Sequence, residues 1–154
     1  MSKPVQSPDR PVCRLLFVED QFSDIEDGIP VLKQELEKRL KRAVEYEVVT
    51  TIAETEQRLK QCQDDPPSAI VLDMMLPINS GEDVDMTGGI RLLSKLRTKF
   101  GSKIAEVPVL ILTARSVPQL RATVMAGNRV EWMEKPAHPR EVATKIATLL
   151  GPHG

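Results

Sequence analysis

Three features of this 154-residue chain predict an α/β fold, a parallel sheet covered by helices on both faces. Short, continuous apolar runs rich in Val, Ile and Leu recur along it, as expected of strands buried on both sides. Segments whose apolar residues repeat at helical spacing fill the gaps between them, and such alternation implies right-handed crossovers between parallel strands. The composition is 41% apolar, 28% charged and only 3% aromatic, so there is enough apolar material for one core and that core must be aliphatic.

In order, residues 1–11 hold three prolines and no periodic pattern, and read as a loose tail before a domain spanning 12–151, with 152–154 as a short C-terminal tail. The first strand is Cys13 to Val18 (CRLLFV), followed by an irregular stretch from Gln21 to Ile29. Pro30 to Arg42 carries Val31, Leu32, Leu36 and Leu40 in helical register, and a start near Pro30 places proline in a first turn, where its fixed dihedral is favourable. Glu45 to Thr50 forms a weaker strand. Thr51 with Glu54 has the spacing of a capping box and opens a helix to about Gln63. Ala69 to Leu72 (AIVL) is the third strand, with an irregular acidic stretch from Leu76 to Met86 after it. Thr87 can cap a helix bearing Ile90, Leu93, Leu96 and Phe100, with Gly101 as its stop. Val107 to Leu112 is the fourth strand, Pro118 to Ala126 a short helix, Arg129 to Met133 the fifth strand, and Pro139 to Leu150 the last helix, ended by Gly151.

Charge and cysteine content exclude several function classes. Lys plus Arg (21) nearly balance Asp plus Glu (22), which argues against direct nucleic-acid binding, for which a basic excess is the usual footprint. No apolar run approaches the roughly 18 residues of a membrane span, and the N-terminus has no hydrophobic signal segment, so no membrane association and a cytoplasmic location are expected. Cys13 and Cys62 lack metal-site spacing and are expected to be reduced thiols.

The informative residues stand at strand ends. Glu19 and Asp20 follow the first strand, Asp73 the third, Thr113 the fourth, and Lys135–Pro136 the fifth. In an open α/β sheet these positions meet at one edge, where such folds keep their sites. Taken singly, an Asp after an apolar run is ordinarily a helix cap or a solvated loop residue, and Lys-Pro is a common turn. Trp132 reads equally well as core filling. Taken together, three converging carboxylates repel one another strongly unless a cation intervenes, and oxygen-only ligands with room for water suit Mg²⁺. The Thr113 hydroxyl and the Lys135 ammonium complete a cradle for an anionic group carried by one carboxylate.

LFVED (16–20), IVLDMMLP (70–77), LILTA (110–114) and WMEKP (132–136), in this order and spacing, resemble the receiver domain of two-component response regulators. The resemblance covers Cys13 to Leu150. It implies a flavodoxin-like, doubly wound five-stranded parallel sheet of order 2-1-3-4-5 with five helices. It further implies that Asp73 is the phosphoacceptor, and that Asp20, Asp73 and the backbone carbonyl of Met75 bind Mg²⁺ directly while Glu19 acts through water. By the same resemblance Thr113 and Lys135 hold phosphoryl oxygens, Trp132 occupies the position of the switch aromatic beside Thr113, and the Lys135–Pro136 peptide is cis. Met75 and Arg115 fall where the family tunes hydrolysis of the acyl phosphate; neither orients water as a carboxylate or amide would, so a slowly decaying phosphoform is expected. The implied partners are a histidine kinase or histidine phosphotransfer protein and an output protein that the sequence does not name.

Several positions depart from the family pattern. Glu19 replaces the more frequent Asp, Trp132 replaces Tyr or Phe, and Ala137 stands where many members have Phe. Extra residues occupy the stretches at 21–29 and around 79–86. A haloacid dehalogenase-type phosphatase also orders its site as Asp, Thr, Lys, but it requires an acid two residues after the nucleophile, where this chain has Met75. A pseudo-receiver, kept for protein binding alone, would be expected to have lost Asp73, Thr113 or Lys135, and all three are present.

Overall fold

The computed structural model describes residues 11–79, 81, 88–114, 122 and 129–151. Five strands, β1 (Cys13–Val18), β2 (Val44–Val49), β3 (Ala69–Leu72), β4 (Val109–Thr113) and β5 (Val130–Glu134), form one sheet of order β2-β1-β3-β4-β5. Every neighbouring pair is parallel. The helices among the described residues are α1 (Ser23–Glu26), α2 (Ile29–Leu40), α3 (Ile52–Gln61), α4 (Gly88–Thr98), α5 (Ser102–Ala105) and α6 (Pro139–Leu150). The helix expected at 118–126 lies outside the described residues, apart from Ala122, which is helical. Thr87 and the acidic residues Glu82, Asp83 and Asp85 also lie outside them.

Side-chain alternation along the strands sorts the core into two layers. Cys13, Leu15 and Phe17 of β1, with Val71 and Leu110, pack against Leu32 and Leu36 of α2 and Val142 and Ile146 of α6. Leu16 and Val18, with Ile70, Leu72 and Ile111, pack against Leu59 of α3, Leu92 and Leu96 of α4, and Ile104 of α5. Each central strand therefore feeds both layers, which is why its residues read as unbroken apolar runs.

Local chemistry sets the element ends. Pro30 sits in the first turn of α2, and Lys41 closes that helix with a left-handed φ of 60°. Thr51 Oγ1 accepts from the Glu54 amide at 3.0 Å, as the capping box predicts, although the Glu54 carboxylate reaches back to Thr50. Five boundaries differ from the sequence reading. The stretch expected to be irregular at 21–29 contains the single turn α1. The α2 helix closes at Leu40 and α3 at Gln61, each two residues early. The α4 helix ends at Thr98, and Gly101, with φ of 93°, separates it from the extra turn α5. The β4 strand begins at Val109 because Pro108 offers the ladder only its carbonyl, which accepts from Ile70 at 3.0 Å. The smaller shifts in β2 and β5 are of one residue.

Leu36 is fully buried between α2 and the sheet, whereas Val31 on the same helix is 39% exposed. Leu36→Ala is expected to lower the unfolding free energy by about 2–5 kcal/mol, and Val31→Ala by well under about 1 kcal/mol, as measured by urea denaturation.

Candidate functional site

The sheet carries its functional residues on its last rungs. The Glu19 amide donates to Val49 O at 3.0 Å, the Asp73 amide to Val18 O at 2.9 Å, and the Lys135 amide to Thr113 O at 2.8 Å. Each of these residues lies one position past its strand, yet its backbone is still held by ladder-type bonds. Rigid elements thus deliver Glu19, Asp73, Thr113 and Lys135 to one edge, with little freedom left to their main chains.

Glu19, Asp20 and Asp73 each offer a carboxylate oxygen within 4.8 Å of the others, and they form the one acidic cluster of this kind among the described residues. Glu19 and Asp73 are buried and Asp20 is half-buried. The Lys135 ammonium donates to Glu19 Oε2 and lies 3.5 Å from Asp73 Oδ2, so it bridges two of the three acids. Glu19 Oε1 also accepts from the Gln21 amide, and Asp73 Oδ1 from the Met75 amide, both at 3.1 Å. Thr113 is fully buried at the end of β4, and the Lys135–Pro136 peptide is cis.

The electrostatics follow from burial and crowding. Loss of hydration pushes Glu19 up to about 7, with the charge of Asp73 adding to the rise and the Lys135 hydrogen bond opposing it only in part. Asp20 is raised by the same two causes, desolvation first. Desolvation alone would lower Lys135, but its contacts with Glu19 and Asp73 outweigh that and raise it, so it remains a cation. Among the described residues, then, one lysine neutralises three acids incompletely. A second positive charge, in the form of an oxygen-seeking divalent ion, fits the donor set and the excess negative charge.

Trp132 is 3% exposed, packs in the layer with α3, α4 and α5, and its indole N–H has no hydrogen-bond partner among the described residues. Its position two strand residues before Glu134 places it in the core, not at the site edge. Arg115 lies outside the described residues. Cys13 and Cys62 are free, buried thiols, and burial pushes both up, which leaves them unsuited to act as nucleophiles.

Two features of the site were missed in the sequence. Gly89 donates its amide to Met74 O at 3.0 Å, and a Cβ there would stand 2.5 Å from Met74 Cα and 2.7 Å from Asp73 O. The Gly88-Gly89 pair was the available signal, since a glycine inside a helical pattern often marks a close approach of backbones. The other feature is the tie between the segment after Asp73 and α3: the Ile52 and Ala53 amides donate to Pro77 O and Ile78 O, both at 3.0 Å. Those carbonyls satisfy donors that a helix start leaves open.

The family model for the response regulator receiver domain matches residues 25–147. The chain belongs to that family. It is 30% identical over 137 residues to the transcriptional regulatory protein BaeR of Escherichia coli and 28% identical over 137 residues to the alkaline phosphatase synthesis regulator PhoP of Bacillus subtilis. Each alignment covers 89% of this chain but 48% of the relative, so the chain spans about half the length of the curated relatives it matches. Its fold is similar to that of a response regulator from Chloroflexus aurantiacus (TM-score 0.67, 21% identity, 91% of this chain and 98% of the other). It is also similar to the receiver domain of the Pseudomonas aeruginosa sensor kinase PA1611, described with a magnesium ion coordinated in its active-site cleft (TM-score 0.63, 20% identity, 92% and 99% covered). Receiver domains bind Mg²⁺ at an acidic site, and the cluster of Glu19, Asp20 and Asp73 is consistent with that. Among the described residues no helix is long and apolar enough to cross a membrane.

Two measurements bear on this geometry. Between the ordinary carboxylate range and about pH 7, the metal-free folded protein holds the Glu19 proton that the unfolded chain has released. Stability from this group therefore falls as pH rises through that window, by up to about 1.4 kcal/mol per unit. Urea unfolding at pH 5 and pH 7 in the presence of chelator is expected to show the wild type losing more stability than Glu19→Gln. Gly89→Ala is expected to weaken Mg²⁺ binding in a calorimetric titration, because the added methyl must displace the Asp73–Met74 backbone, while circular dichroism shows the sheet retained.

Proposed function

We propose that this chain takes a phosphoryl group onto Asp73 from a phosphohistidine on a histidine kinase or phosphotransfer protein, and signals the change to a partner protein. The observation that carries this reading is the Lys135 bridge between Glu19 and Asp73, with Thr113 at the adjacent strand end. In the transfer, an Asp73 carboxylate oxygen forms a bond to phosphorus as the phosphorus–nitrogen bond of the donor breaks, and the electron pair leaves with the imidazole. Little other covalent work falls to the protein, and positioning with charge neutralisation does the rest.

The residues divide that work. The Met75 amide, 3.1 Å from Asp73 Oδ1, orients the carboxylate so that its other oxygen is presented for attack. Lys135 is already within reach of Asp73 and is well placed to move from Glu19 to a phosphoryl oxygen as charge accumulates there. The hydroxyl of Thr113 would hydrogen-bond a second such oxygen. Mg²⁺ would be held by Asp20, Asp73 and the Met75 carbonyl, with Glu19 through water, and would supply positive charge against the phosphoryl oxygens. Trp132 stands in sequence where the switch aromatic is expected, and its buried indole supports a role in packing between β5 and the helices as much as in switching. Met75, half-buried beside Asp73, offers no group to orient an attacking water, which supports a long-lived phosphoform.

The same logic extends to localisation and output. Receiver domains are typically cytoplasmic, and the family relatives named as transcriptional regulators support an output partner or output segment in gene control. The domain is taken to span 12–151, the stretch that contains all five strands and α6.

Incubation with radiolabelled acetyl phosphate is expected to label the wild type in the presence of Mg²⁺ and not in excess chelator. Asp73→Asn is expected to abolish labelling. Stoichiometric labelling of that variant would remove the assignment.

A further inference from the structure

On the face opposite Trp132, a cleft of about 450 Å³ opens between the 21–29 segment and the start of α6. Phe17, Leu32, Leu112 and Val142 form its floor, and Ile25 and Ala137 its sides. The floor residues are at least 95% buried, so the cleft descends to the core layer and is not a surface dimple. Its rim is braced where Gly28 meets α6: a Cβ on Gly28 would stand 2.6 Å from Pro139 Cγ. Ala137, a methyl group in the side wall, leaves the volume open.

Charge decides what this cleft can hold. Among the described residues Lys135 is the one charged side chain that lines it, and its ammonium is turned to Glu19 and Asp73, which leaves its methylene stem as wall. No carboxylate among the described residues lines it to receive a cation. An anion would gain little from a lysine already engaged and would be repelled by the acidic cluster behind it. The volume lies within the roughly 300–1,000 Å³ of small-molecule sites.

We propose that the cleft is a binding site for an uncharged, predominantly apolar small molecule of about bicyclic size. Such an occupant packs on the stem of the lysine that holds Glu19 and Asp73, so the site communicates with the acidic cluster through one side chain. The assignment stands whether or not Asp73 accepts phosphate, because its test reads binding alone. Titration of ¹⁵N-labelled full chain with 2-naphthol at neutral pH is expected to give saturable shifts confined to the amides of Ile25, Gly28, Leu112, Ala137 and Val142. Ala137→Phe fills the cleft and Ile25→Gln wets its wall, and each is expected to weaken binding about tenfold or more, since several methylene-sized contacts are lost. The anion 2-naphthoate is expected to bind more weakly than 2-naphthol. Absence of saturation, shifts centred elsewhere, unchanged affinity in whichever of the two variants keeps a native spectrum, or tighter binding of the naphthoate would each overturn the proposal.

Discussion

Crowding of negative charge at the C-terminal edge of the sheet is the constraint to which the rest of the molecule answers. Glu19, Asp20 and Asp73 are brought within 4.8 Å by strand pairing, not by mutual attraction, and among the described residues Lys135 is the cation that opposes their repulsion directly. Repulsion of this kind is sustainable when the scaffold is stiff. The two apolar layers provide that stiffness: β1 and β3 are clamped from both faces, and the ladder continues one residue beyond each strand to hold Glu19, Asp73 and Lys135. A loop-mounted trio would simply spread apart.

This arrangement makes the acidic edge a store of unfavourable electrostatic energy. Raised proton affinity at Glu19 and Asp20, due first to desolvation and then to the charge of Asp73, expresses it in one form, and affinity for a divalent ion would express it in another. Lys135 sits at the centre of the balance. It is partly desolvated, yet retained as a cation by its neighbours, and a single ammonium satisfies two carboxylates at the cost of leaving neither fully neutralised. The addition of positive or negative charge at this edge must therefore redistribute the lysine's contacts.

Much of this was legible in the amino-acid order. Two-sided burial left unbroken apolar runs at β1, β3 and β4, and Glu19, Asp20 and Asp73, just beyond two of those runs, are the carboxylates the structure brings together. Edge strands were read less sharply: β2 and β5 each have one open side, their patterns mix polar with apolar residues, and their limits shifted by one position. The turns α1 and α5 escaped notice because four residues cannot show a helical period. For Gly89 the paired glycines hinted at a close approach, but which backbone comes near is set by the fold, and the approach of Met74 and Asp73 supplies it. The cleft beside Ala137 likewise depends on how Gly28 meets the start of α6, which no local pattern encodes.

The segment after Asp73 is pinned at both ends. Pro77 and Ile78 are bonded to the start of α3, and Gly89 is bonded to Met74. The Asp73 carboxylate therefore sits on main chain tethered to two different helices, so a displacement of either α3 or α4 is felt at the backbone that carries it.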